Sequence, residues 1–145
     1  MPRNESFSAS PGRNEERGPA PSLRIVIAED DRDAAASLEA LLQDEGHSTR
    51  CVYRGREVVY AVKEFGADVV LVDIGMPGIS GYDIARVLRK TFGTKKPTLI
   101  AVTAWNRMPD KLMAKAAGFD HHFGKPYDPN ELLACLVQVA TDRAK

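Results

Sequence analysis

Between Leu23 and Arg143, short apolar runs alternate five times with segments whose apolar residues recur every three or four positions. That alternation predicts five strands and five helices wound as an α/β domain with a parallel sheet. Three runs, LRIVIA (23–28), VVLV (69–72) and TLIAV (98–102), are nearly continuous, as strands covered on both faces should be. HSTRCVY (47–53) and DHHF (120–123) mix polar side chains into the run, which predicts the two sheet edges.

The helices have readable stripes and stops. The first spans about 33–45 with Leu38, Leu41 and Leu42 inward and Gly46 beyond; the second follows Gly55 and turns in Val58, Val59, Val62 and Phe65 before Gly66. From about Gly81 the third faces in with Ile84, Ala85, Val87 and Leu88, leaving Arg86, Arg89 and Lys90 solvated. The fourth, after Pro109, should bury Leu112, Met113, Ala116 and Ala117 and end at Gly118. Asp128, Pro129 and Glu131 give the fifth a capped start, and Leu132, Leu136, Val139 and Ala140 its inner stripe. Right-handed crossovers with strands 2 and 5 at the edges lead to the strand order 2-1-3-4-5. Residues 1–22 hold four of the nine prolines and, after Met1, only Phe7 as a large apolar side chain, so they read as a disordered tail ahead of a domain at 23–145.

Four of the five strand-like runs are followed by chemistry: Glu29 and Asp30 after the first, Asp73 after the third, Thr103 after the fourth, Lys125 after the fifth. In an open parallel sheet these positions gather beyond the carboxyl edge, where the winding reverses between strands 1 and 3. Three crowded carboxylates repel unless a counter-charge intervenes. A hard cation such as Mg2+ fits that need, since it takes one or two carboxylates and a carbonyl while completing its shell with water and phosphate oxygens. Asp73 could then attack a phosphoryl group as a carboxylate nucleophile, with Thr103 and Lys125 taking its oxygens.

Composition narrows the rest. Twenty basic and twenty acidic side chains leave no global charge to attract nucleic acid or anionic membrane. Apolar runs of six residues or fewer are far short of a membrane span, and no signal-peptide core is present, so a soluble cytoplasmic protein is expected. Cys51 and Cys135 stand apart from each other and from any histidine at ligand spacing, and read as reduced, buried thiols. His121 and His122 are adjacent on a strand and point to opposite faces, which argues against a shared metal.

Taken together, EDD (29–31), LVDIGMPGISGYD (71–83), AVTAW (101–105) and GKP (124–126) resemble the receiver domain of two-component signalling response regulators, over Leu23 to Arg143. The resemblance implies a flavodoxin-like doubly wound fold and a phosphorylation switch rather than an enzyme. It implies Asp73 as phosphoacceptor, Glu29, Asp30, Asp73 and the Gly75 carbonyl as Mg2+ ligands, and Thr103 and Lys125 as switch residues. It further implies a cis Lys125–Pro126 bond and, as donor, a phosphohistidine on a sensor histidine kinase or histidine phosphotransfer protein. GFDHHFGKPYDPNEL is also similar to receivers fused to hybrid sensor kinases. With about five residues after the last helix, the chain is expected to signal by contact. The face of helix 4, strand 5 and helix 5, carrying Lys111, Lys115, His121 or His122, Arg143 and Met108, is the expected surface, without direct nucleic-acid binding or membrane insertion.

Single residues have plainer readings. Asp31 and Asp33 read as caps of helix 1, Met76 and Pro77 as loop packing, Gly78 and Gly81 as turn positions, and Trp105 as packing or a lid over the site. Two positions depart from the family pattern. His122 stands where the family usually has a rotating Tyr or Phe, so coupling there is expected to be weaker or pH-sensitive. Gly75 and Trp105 offer no carboxylate or amide to orient a hydrolytic water, so slow autodephosphorylation is expected; Gly75→Asn or Trp105→Glu losing phosphate no faster would contradict it. The alternatives weighed are a phosphorylation-independent docking module and a flavodoxin-like phosphohydrolase. Against the latter, EDDRDA replaces a Gly/Thr-rich phosphate loop and Gly75 fills the third place of an Asp-x-Asp element.

Overall fold

The computed structural model describes residues 21–104 and 107–144. The expected disordered tail and the Trp105 lid therefore fall almost wholly outside the described residues. Five parallel strands, β1 (Arg24–Ala28), β2 (Ser48–Val52), β3 (Val69–Asp73), β4 (Thr98–Thr103) and β5 (His121–Gly124), form one sheet in the order β2-β1-β3-β4-β5. Five helices cover it: α1 (Arg32–Asp44), α2 (Val58–Phe65), α3 (Gly81–Phe92), α4 (Met108–Ala117) and α5 (Pro129–Arg143). A 3-10 turn at Gly55–Glu57 leads into α2 and another at Gly93–Lys95 follows α3.

The strands divide the core by alternation. Ile25 and Ile27 of β1, with Val69 and Leu71 of β3, pack against Leu42 of α1 and Leu132 and Leu136 of α5. Val26, Ala28, Val70 and Val72 face the other way, onto Val58, Ala61 and Val62 of α2 and Ile84, Ala85 and Leu88 of α3. Both faces of β1 and β3 are thus dry, which is why their sequences lack the alternation of a half-exposed strand. The edge assignment holds as well: β2 and β5 keep partly exposed residues along most of their length.

Local signals set the helix ends. The Asp31 carboxylate accepts from the N–H groups of Asp33 (3.0 Å) and Ala34 (3.2 Å), so Asp31 is the N-cap of α1 and Asp33 sits in its first turn. Ser80 and Asp128 cap α3 and α5 in the same way. Gly78 has φ +91°, whereas Gly81 is required for space: a Cβ there would lie 2.7 Å from Ile74 Cα.

Two helix faces differ from the periodicity reading. In α4 only Ala114 and Ala117 are buried, while Met108, Leu112 and Met113 are 66%, 61% and 50% exposed. Weighting the large apolar residues picked the outer stripe; small alanines form the inner one because α4 lies close to α3, where Arg89 donates to Ala116 O. In α3 the buried set is Gly81, Ile84, Ala85 and Leu88, which leaves Val87 on the exposed flank. No helix among the described residues is long and apolar enough to cross a membrane.

Candidate functional site at the carboxyl edge of the sheet

Register brings the acids together. Ala28 pairs with Val72 across β1 and β3, so Glu29 and Asp73 leave adjacent strands side by side, about 5 Å apart in the sheet. Glu29 N–H donates to Val52 O (3.1 Å) and Ile74 N–H to Val102 O (3.3 Å), which extends the ladder through both positions. Glu29, Asp30 and Asp73 each offer a carboxylate oxygen within 4.8 Å of the others.

Lys125 reaches this cluster from β5. Its N–H donates to Thr103 O (2.8 Å), docking the segment against the end of β4, and its Nζ stands 3.1 Å from Glu29 Oε1 and 3.3 Å from Asp73 Oδ2. The following Lys125–Pro126 bond is cis. Thr103, 1% exposed, ends β4 opposite Gly124 and next to the Asp73–Val102 pair. Gly75 N–H donates to Asp73 Oδ1 (2.9 Å), and a Cβ on Gly75 would stand 3.5 Å from that oxygen, so any side chain there would border the carboxylate.

The electrostatics are unbalanced, three carboxylates against one ammonium. Burial raises the Glu29 carboxyl above its ordinary value; the Asp31 N–H (3.1 Å) pulls it down, the Asp73 charge adds to the rise, Lys125 opposes it, and the net shift is upward. Burial alone would lower the Lys125 ammonium, but its hydrogen bond to Glu29 and the charge of Asp73 outweigh that and raise it. The Glu29 shift is chiefly burial with the Asp73 charge added, and the Lys125 shift is its two acidic neighbours outweighing burial. Three hard oxygen donors within 4.8 Å of one another, with uncompensated charge, fit Mg2+.

Beside the cluster, a cavity of about 620 Å³ runs between α1 and the β5–α5 segment, with Ile27, Leu71 and Val102 as floor and Leu38, Leu41 and Tyr127 on its walls. On the outer side, the Arg32 guanidinium lies over the Tyr53 ring, 3.9 Å from its centroid. Neither Tyr127 nor the Arg32–Tyr53 contact was legible in the sequence, since ring contacts across 21 positions leave no motif.

His122 does not reach the acids. It pairs with Ala101 at mid-strand, half-buried, while His121 is exposed on the other face. His122 and His121 instead line a second cavity of about 430 Å³ with Lys111, Lys115, Phe119 and Asp120. Arg143 is absent from that cavity: it turns to Asp68 (3.8 Å) and Thr98 at the amino ends of β3 and β4. Cys51 and Cys135 are both free and half-buried, as expected for inert thiols, and burial pushes the Cys51 thiol up to about 11.

The family described as response regulator receiver domain matches residues 25–137. The DNA-binding response regulator MtrA of Mycobacterium tuberculosis is 34% identical over 111 residues, 77% of this chain and 47% of MtrA, so the chain spans about half the length of such curated relatives. Among solved structures, the BeF3-activated receiver domain of Klebsiella pneumoniae RstA is similar at 25% identity and TM-score 0.75, covering 81% of this chain and 97% of that one. The receiver domain of Saccharomyces cerevisiae Ssk1, co-crystallised with the histidine phosphotransfer protein Ypd1, shares the fold at TM-score 0.79 and 24% identity over 86% of this chain and 93% of that one. The motif residues, the strand order and these matches agree: the chain belongs to the response regulator receiver domain family.

Proposed function

We propose that this protein is a cytoplasmic, stoichiometric phosphorylation switch, in which Asp73 accepts a phosphoryl group from a phosphohistidine on a sensor histidine kinase or histidine phosphotransfer protein. The observation that carries this reading is the Lys125 ammonium standing 3.3 Å from Asp73 within a cluster of three carboxylates. An Asp73 oxygen attacks phosphorus in line; the O–P bond forms as the N–P bond breaks, and the leaving imidazole nitrogen keeps the electron pair and is protonated from solvent. The Lys125 ammonium neutralises one phosphoryl oxygen and the Thr103 hydroxyl donates to another. Glu29, Asp30, Asp73 and the Gly75 carbonyl would hold Mg2+, which would supply positive charge against the anionic phosphoryl group.

The resulting acyl phosphate is long-lived in this reading, because Gly75 brings no side chain to orient water. Thr103 and His122 relay the event to the face of α4, β5 and α5. There the second cavity, with Lys111, Lys115 and the exposed Met108 and Leu112, suits an acidic partner protein with apolar anchors. The test is incubation with a small phosphodonor with and without Mg2+, followed by intact mass. One phosphoryl group is expected on the parent with Mg2+ and none on Asp73→Asn. Equal labelling of the two proteins removes Asp73 from the role, and multiple turnover on a phosphate ester would favour a phosphohydrolase.

A further inference from the structure

Arg32 is the only cation in the acidic run Glu29-Asp30-Asp31-Arg32-Asp33, two residues from a proposed metal ligand. A guanidinium so placed would ordinarily fall onto a neighbouring carboxylate. It does not: among the described residues Arg32 enters no ion pair, and its Cζ lies 3.9 Å over the Tyr53 ring. Tyr53 follows β2 directly, and the Val52 carbonyl before it accepts the Glu29 N–H, so the ring stands beside the segment that carries the acids.

We infer that Tyr53 is a positioning residue that holds the Arg32 guanidinium away from the acidic cluster and so preserves its affinity for a divalent cation. The inference rests on the proposed Mg2+ site and adds what keeps it open. With the ring gone, Arg32 is free to fold onto Asp30 or Asp31 and compete with the ion. An aromatic face attracts a cation at little desolvation cost, whereas an aliphatic one does not.

Calorimetric titration of the full-length chain with MgCl2 tests this. Tyr53→Leu should bind about two- to fivefold more weakly than the parent, the range an exposed Arg–carboxylate contact can supply. Tyr53→Phe, which keeps the ring, should match the parent. Adding Arg32→Gln to Tyr53→Leu should restore parental affinity, and the deficit of Tyr53→Leu should shrink in 0.5 M NaCl, on the order of a 4 Å screening length. A loss caused only by a loosened β2 end would survive both changes. If Tyr53→Leu does not fold, Tyr53→Gln carries the same comparison. A parent that binds no Mg2+ overturns the metal site and this inference together. A parent that binds Mg2+ while the Tyr53 variants bind equally well, or are not rescued by Arg32→Gln, overturns the inference alone.

Discussion

The centre of the sheet and its α4 flank are built to different standards. Around β1 and β3, Ile25, Ile27, Leu42, Leu71, Leu132 and Leu136 are all within 2% of complete burial, and the acids they carry are fixed by backbone register and by Lys125. Around α4, the inner stripe is two alanines, and the larger apolar side chains lie in solvent. Burial of methyl groups holds a helix far less firmly than burial of leucines. The first region therefore supplies a fixed geometry for chemistry. The second is weakly anchored, the property required of a segment that must change its contacts when the chemistry occurs.

That contrast breaks most directly by truncation. Leu136→Ala should cost about 2–5 kcal/mol in urea unfolding, the range for emptying a fully buried leucine site. Leu112→Ala should stay within about 0.5 kcal/mol of the parent, since its side chain is 61% exposed. Comparable losses for the two would erase the distinction.

A smaller effect is expected at the acids themselves. The upward shift of Glu29 means that the folded state prefers its protonated form, so ionised Glu29 opposes folding above its unfolded-state value. Glu29→Gln should then raise the urea midpoint in the absence of divalent ions. Mg2+ should raise the parental melting temperature and leave that of Glu29→Gln less affected. A Gln variant less stable than the parent without metal would show the pocket to be compensated.

Away from both regions, His47 is buried and its Nδ1 accepts the Leu23 N–H at 3.1 Å. Burial lowers its folded-state pKa, with the Glu45 charge opposing. The unfolded chain thus binds the extra proton first, and stability must fall as pH drops through the unfolded value near 6.5 and below it. His47→Gln should flatten that part of the stability profile; an unchanged slope would place the titrating group elsewhere.

How much of this was legible depends on whether the signal was local. The continuous runs of β1, β3 and β4, the mixed composition of β2 and β5, and the caps Asp31 and Asp128 are local, and each was read correctly. The acids and Lys125 were also legible, because parallel strands carry whatever follows them to one edge. What failed depended on the neighbour. The alanine stripe of α4 reflects how closely α3 approaches, and Arg143 was drawn to Asp68 rather than to the α4 face. Neither partner is visible from the residue's own segment.

The last and smallest expected effect joins the two regions. His122 pairs with Ala101, two positions before Thr103 on β4, while its side of β5 borders the cavity beneath α4. An imidazole there can carry a displacement of Thr103 toward α4 only through a ring smaller than the tyrosine of the family pattern. Imidazoles as a class change charge near neutrality where phenols do not, so the response should vary with pH. Amide chemical shifts of α4, recorded with and without a phosphoryl mimic across the neutral range, should change more in His122→Tyr than in the parent and lose their pH dependence in the variant. Identical responses at every pH would mean that the chemical site and α4 communicate by another route, and the division of labour between these two regions would have to be drawn without β5.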